Sequence, residues 1–170
     1  MKTLSPLTCK VIAYQVLPAF NKDEVVDWAY EMIALGWETE HLLILAGLTK
    51  PVNYFETVSY LKAAINELNL SSKAGLEGIV SYTSYYVRQL EQGIKIEENL
   101  NALSDFVISV DYNSAIYDFY SLYWAWNDLK YDEMQWYWDG ATRGNIEQIA
   151  INTAKDWLID NENSLNAIFS

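Results

Sequence analysis

Few side chains in this sequence stand at spacings that could do chemistry. Glu38-Thr39-Glu40-His41 contains the Glu-x-x-His spacing with which di-iron four-helix bundles hold their metals. Such a site takes a second Glu-x-x-His from another helix, and His41 is the only histidine. The ordinary reading is a polar residue at a helix start, with no metal and no cofactor. Nothing near His41 rules in a Ser-His-Asp triad or a Cys-His pair either. Asp111 and Asp118 are seven apart, as on one helical face, and paired carboxylates can serve as acid and base on a glycoside or similar substrate. That face is polar, however, where a solvated charge run is expected. Cys9, the only cysteine, reads as a small core residue rather than a nucleophile. No P-loop, Gly-x-Gly-x-x-Gly, Gly-x-Ser-x-Gly or calcium loop occurs. Asp139-Gly140-Ala141-Thr142-Arg143-Gly144 reads as an ordinary connection in which Arg143 anchors a nearby acid. A non-enzyme is expected, and carboxylate-only catalysis ranks behind two binding functions.

The richest recognition chemistry lies in the aromatics and acids of the second half. Between 112 and 138 stand 11 of the 25 aromatic residues. Residues 97–139 hold nine acidic side chains against Lys130 alone, a net −8. At ~100° per residue, Tyr112, Ile116, Phe119, Tyr123 and Trp126 form one stripe, expected to be core. Tyr117 and Trp124 fall on a different side beside Asp128, with Tyr120 at the border. Two readings stay open. In one, the helix is packed on two sides and the Tyr hydroxyls find partners at the core edge. In the other, Tyr117, Tyr120, Trp124 and Asp128, with Trp136 and Trp138 in the following loop, form a binding surface. Tyr and Trp are enriched at binding hot spots, aromatic faces attract Lys and Arg, and carboxylates add charge-assisted hydrogen bonds. The partner implied is a basic protein. The alternative is a small molecule held in an aromatic-lined cleft between the 72–92 and 112–130 helices, or a structural protein of unknown role.

The elements that must position these residues follow a 3.6-residue period. Residues 7–17 read as a short helix stopped at Pro18. Asn21 with Glu24 reads as a capping box for 22–35, closed by Gly36. Thr39 caps Leu42 to Leu48. Asn53 and Glu56 repeat the capping-box spacing before Tyr54, Val58, Leu61, Ile65 and Leu68. Ser71 or Ser72 starts the next helix, ending near Gly93. Further helices cover 96–110 and 112–130, and the last begins at Ile146. The expectation is an all-α fold, an irregular single-domain bundle of seven or eight amphipathic antiparallel helices over residues 1–170.

Charge and composition bound the partners. The 170 residues carry 11 basic and 23 acidic side chains, net −12, which argues against nucleic acid because phosphate neutralisation dominates such binding. Seven Gly and three Pro are too few for a turn-rich sandwich. No run approaches the ~20 apolar residues of a membrane span. The lone cysteine fits a reducing compartment, so a soluble, cytoplasmic protein of undefined oligomeric state is expected.

Trp28 to Leu70, with Leu35-Gly36-Trp37, Leu45-Ala46-Gly47-Leu48 and Asn53-Tyr54-Phe55-Glu56, resembles small acidic all-α bacterial proteins, some of them immunity partners of toxins. The resemblance covers about a quarter of the chain and rests on packing and capping residues. It implies a helical fold, a bacterial source and, most concretely, an immunity-type inhibitor that occludes a basic partner. It carries no catalytic residue across.

Overall fold

A computed structural model of the chain describes residues 2–17 and 20–168, and among them every regular element is helical. The protein is all-α. The described residues divide into two compact units, 2–82 and 83–168, and the helix α5 (Gly75–Glu91) gives its first half to one and its second half to the other.

The first unit comprises α1 (Thr8–Val11), a 3-10 turn (Tyr14–Val16), α2 (Asp23–Ala34), α3 (Glu40–Ala46), α4 (Tyr54–Glu67) and α5 as far as Tyr82. The single helix expected over 7–17 is broken because the Ile12 carbonyl, which would accept from Val16, instead accepts Lys73 N–H at 2.8 Å. Pro18, the expected stop, lies outside the described residues. The capping box at Asn21 does not form. Lys22 occupies the cap position of α2 without a side-chain bond, and the Glu24 carboxylate is drawn to Lys10 Nζ at 2.6 Å. Lys10 is buried, so a partner is required there. Asn53 caps α4 as its spacing predicts, its Oδ1 accepting Glu56 N–H at 3.2 Å. Gly36 ends α2 at φ +88°, a backbone state costly to any side chain. The core joins Trp28 and Met32 of α2 to Leu42 and Leu45 of α3 and Leu61 of α4, all fully buried. An indole buried that deeply needs an acceptor, and Trp28 Nε1 donates to Thr8 Oγ1 at 2.9 Å.

The second unit runs from Thr83 through α6 (Ile96–Ser109), α7 (Tyr117–Tyr131), α8 (Ile146–Asp160) and α9 (Glu162–Ile168). Leu100, Leu103 and Val107 of α6 and Ala150 and Ala154 of α8 belong to its core. Trp157 is anchored by donating from Nε1 to the Ala115 carbonyl at 2.9 Å, its ring 6.1 Å from that of Phe119.

The helix expected over 112–130 begins five residues later. Asp111 and Tyr112 both adopt left-handed backbone (φ +53° and +55°), and Tyr112 N–H bonds back to the Val107 carbonyl at 2.9 Å. These residues close α6 rather than open α7. Asn113 then accepts Ala115 N–H in a turn. Asp111 and Asp118 therefore share no helix, and the common helical face that their spacing suggested is absent.

The expected core stripe is also displaced. Of Tyr112, Ile116, Phe119, Tyr123 and Trp126, only Ile116 and Phe119 are buried. The buried face of α7 is Phe119, Leu122, Ala125 and Leu129. Tyr123 and Trp126 are half-buried and Tyr112 points outward. With aromatics around most of the helix, ring size does not select the inner face. α7 packs on α6, and besides Phe119 its buried positions are Leu and Ala.

Candidate functional site: an aromatic and acidic surface

Displacing the core stripe leaves the larger rings of α7 on its outer side, where they meet one another. Tyr117 lies 5.6 Å from Tyr120 between ring centroids, and Tyr120 lies 6.3 Å from Trp124, each pair one helical turn apart. The left-handed turn before α7 folds Tyr112 back over its first turn, 6.4 Å from Tyr117 and edge-on to Tyr120 at 5.4 Å. Tyr137 closes the other end, 6.3 Å from Trp124, and Tyr123 meets Trp124 edge-on at 5.3 Å. The result is a continuous aromatic surface. Tyr112, Tyr117 and Tyr137 remain 49%, 43% and 46% exposed while touching their neighbours. Such edge-on and tilted contacts add about 0.5–1.5 kcal/mol per pair where buried, and less at exposed rings like these.

The loop that supplies Tyr137 is built by one side chain. Gln135 Oε1 accepts the N–H groups of Tyr137 and Trp138, both at 2.8 Å, and its Nε2 donates to the carbonyls of Trp138 and Ala141. Asp132 accepts Glu133 N–H at 2.6 Å, which turns the chain out of α7. Arg143, expected to anchor a nearby acid, makes no ion pair among the described residues. Its Nε donates to the last-turn carbonyl of Leu129 at 2.6 Å, satisfying an orphan acceptor at the end of α7. Asn145 holds the far side, accepting Thr142 N–H and donating to the Gly140 carbonyl.

The acids around this surface are uncompensated. Among the described residues, Asp111, Asp118, Asp128, Asp132, Glu133 and Asp139 make no ion pair. The one cation of the 97–139 stretch, Lys130, is taken up by Glu97 at 2.5 Å, whose carboxylate holds the ammonium above its ordinary pKa. Within the cluster, desolvation by the surrounding rings, reinforced by the phenols of Tyr112, Tyr117 and Tyr137, holds the Tyr120 hydroxyl above its usual pKa. The Trp124 N–H opposes this electrostatically but meets no acceptor at hydrogen-bond geometry.

Four of the six residues singled out from the sequence thus fall on one helix, and three of them, Tyr117, Tyr120 and Trp124, touch in series. Asp128 follows one turn on and is half-buried. Trp136 is 83% exposed in the loop, and Trp138 is half-buried beneath the Gln135 bonds. The loop's ring contact with Trp124 comes from Tyr137, which helical periodicity had no means to find. A 3.6-residue period places Tyr112 in the core stripe for a related reason, since it does not register the left-handed turn there. Two open hollows also lie in this unit. One of about 510 Å³ is lined by Arg88, Glu91, Lys155 and Glu162, and one of about 240 Å³ by Trp126, Lys130 and Arg143. No helix among the described residues is long and apolar enough to cross a membrane. No family model, curated protein or solved structure matches the chain, and its function is read from its own geometry.

Proposed function

We propose that this chain is a non-enzymatic binding module whose Tyr112–Tyr117–Tyr120–Trp124–Tyr137 surface docks a basic protein. The observation that carries the reading is the coincidence of mutually touching rings, three of them exposed, with six carboxylates that make no ion pair among the described residues. Exposed Tyr and Trp offer large contact area at low entropy cost, and their faces attract the Lys and Arg that the carboxylates would pair with. The acidic field speeds encounter and makes it salt-sensitive. Its most concrete form is an immunity-type inhibitor that covers a basic face of a toxin.

The test is capture of partners from the source cell on immobilised protein, eluted by a rising salt gradient, beside a Tyr117→Ala/Trp136→Ala variant of confirmed helicity. A stoichiometric basic protein, released as salt rises and missing from the variant eluate, is the expected result. Capture that is equal on both proteins, or no basic protein at low salt, overturns the reading.

A further inference from the structure

The first unit holds a cluster of a different kind. His41, at the start of α3, turns its Nδ1 toward Glu67 Oε1 in the last turn of α4, at 2.6 Å. The His41 backbone N–H donates to the other oxygen of the same carboxylate at 3.1 Å, which fixes the Glu67 head group. Glu40 brings a second carboxylate, and the three donor atoms of Glu40, His41 and Glu67 all lie within 4.8 Å of one another. Among the described residues, neither carboxylate meets a lysine or arginine. Two carboxylates are thus compensated only by an imidazole, at a point reachable from solvent on both helices.

From this the geometry points to a binding site for a divalent transition-metal ion of the zinc type, held by His41 Nδ1, Glu67 and Glu40. Three observations favour it over a mere acidic patch. The donors converge from residues 26 apart on two helices, so the cluster is a product of the fold. One donor is an imidazole nitrogen, which suits zinc and its neighbours, whereas calcium and magnesium take oxygen. The charges also balance: two carboxylates and a neutral imidazole match a doubly charged cation. Donors around tetrahedral zinc stand about 3.3 Å apart. Rotamer changes of an ångström or so in these side chains reach that spacing from the present one. The ion takes the place of the hydrogen between His41 Nδ1 and Glu67, and the ring binds as the neutral tautomer that carries its one hydrogen on Nε2. Protein ligands fill three positions and water the fourth. The Glu38-Thr39-Glu40-His41 run contributes its last two residues, and Glu38 is not among the donors. The site belongs to the first unit, and its residues are none of those that form the aromatic surface.

The test exploits the single histidine. Untagged protein at neutral pH is titrated with Zn²⁺, and in parallel with Mg²⁺, while the His41 ring resonances are followed by NMR and affinity by calorimetry. One equivalent of Zn²⁺ is expected to shift the ring resonances to saturation, with no response to the same concentration of Mg²⁺. His41→Ala and Glu67→Gln should each weaken binding about tenfold or more, at least the loss seen when groups merely supporting a ligand are removed. Glu40→Gln breaks neither hydrogen bond of the His41–Glu67 pair, so weaker binding there reports ligation rather than unfolding. Ring resonances unmoved by Zn²⁺, or an affinity unchanged in all three variants, overturn the site and assign any binding to scattered surface carboxylates.

Discussion

The assignment of α7's faces can be tested by two truncations in one helix. Phe119 is 0% exposed and its ring meets Trp157 at 6.1 Å. Phe119→Ala removes a buried ring from a close-packed site and should cost about 3–5 kcal/mol. Tyr117 lies two residues earlier, 43% exposed, with Tyr112 and Tyr120 as its ring neighbours. Two exposed ring pairs are worth at most a fraction of the ~0.5–1.5 kcal/mol each contributes when buried, so Tyr117→Ala should cost about 1 kcal/mol or less. For a chain of this size each kcal/mol shifts Tm by about 2–4 °C. The expected losses are therefore about 6–20 °C for Phe119→Ala and about 4 °C or less for Tyr117→Ala. Thermal and urea unfolding, followed by circular dichroism, read both. Because the two residues share a helix and a unit, global differences cancel and the comparison reports the face alone. A Tyr117→Ala loss as large as that of Phe119→Ala would mean that the outer rings are core, and the binding surface would fall with them.

Three further outcomes follow from named contacts. Gln135→Leu removes four hydrogen bonds to loop backbone; Tyr137 should then detach from Trp124, seen as faster amide exchange over 136–141 with the helices' exchange unchanged. Gly78→Ala would ordinarily strengthen a helix interior by about 1 kcal/mol, but a Cβ there would lie 2.5 Å from Val16 Cγ1 and 2.8 Å from the Lys73 carbonyl, so a lower urea midpoint is expected. Tyr120 should ionise later than an ordinary tyrosine in an alkaline absorbance titration, with Tyr120→Phe removing the late component. Since its folded pKa is raised, its contribution to stability is complete below the ordinary tyrosine value and is lost as pH rises toward the folded one.

What was legible in the sequence is what local physics decides. The all-α class follows from a period of 3.6, and Asn53, Gly36 and Gly93 sit at helix ends because their caps need only residues a turn away. Where a distant group competes, the local rule loses. Glu24 leaves its capping box for Lys10, and the Ile12 carbonyl leaves its helix for Lys73. The start of α7 is missed because two non-glycine residues, Asp111 and Tyr112, accept left-handed backbone to close α6. Periodicity marks a face by hydrophobicity, and a helix such as Tyr117–Tyr131 is apolar nearly all round. The choice between Leu122–Ala125–Leu129 and Tyr123–Trp126 belongs to packing on α6. The convergence of His41 and Glu67, 26 residues apart, has no signature in local spacing at all.

The outward rings bear on function because of what holds them. A ring left exposed contributes little of the ~25 cal/mol per Å² that burial gives, so the order of this surface must come from elsewhere. Tyr112 is placed by the turn that closes α6, Tyr117, Tyr120 and Trp124 by the repeat of α7, and Tyr137 by the Gln135 amide. Backbone geometry and one side-chain amide therefore place the rings within the free chain. A surface prepared in this way gives up less conformational entropy on docking than one of mobile side chains. The same region spends its only lysine on Glu97, and among the described residues six of its carboxylates make no ion pair. On the proposed reading, a basic partner would pair with those carboxylates and cover the rings in one event. Apolar and electrostatic terms would then act together on the same few turns of chain, which neither an acidic face without rings nor a ring cluster without acids would achieve.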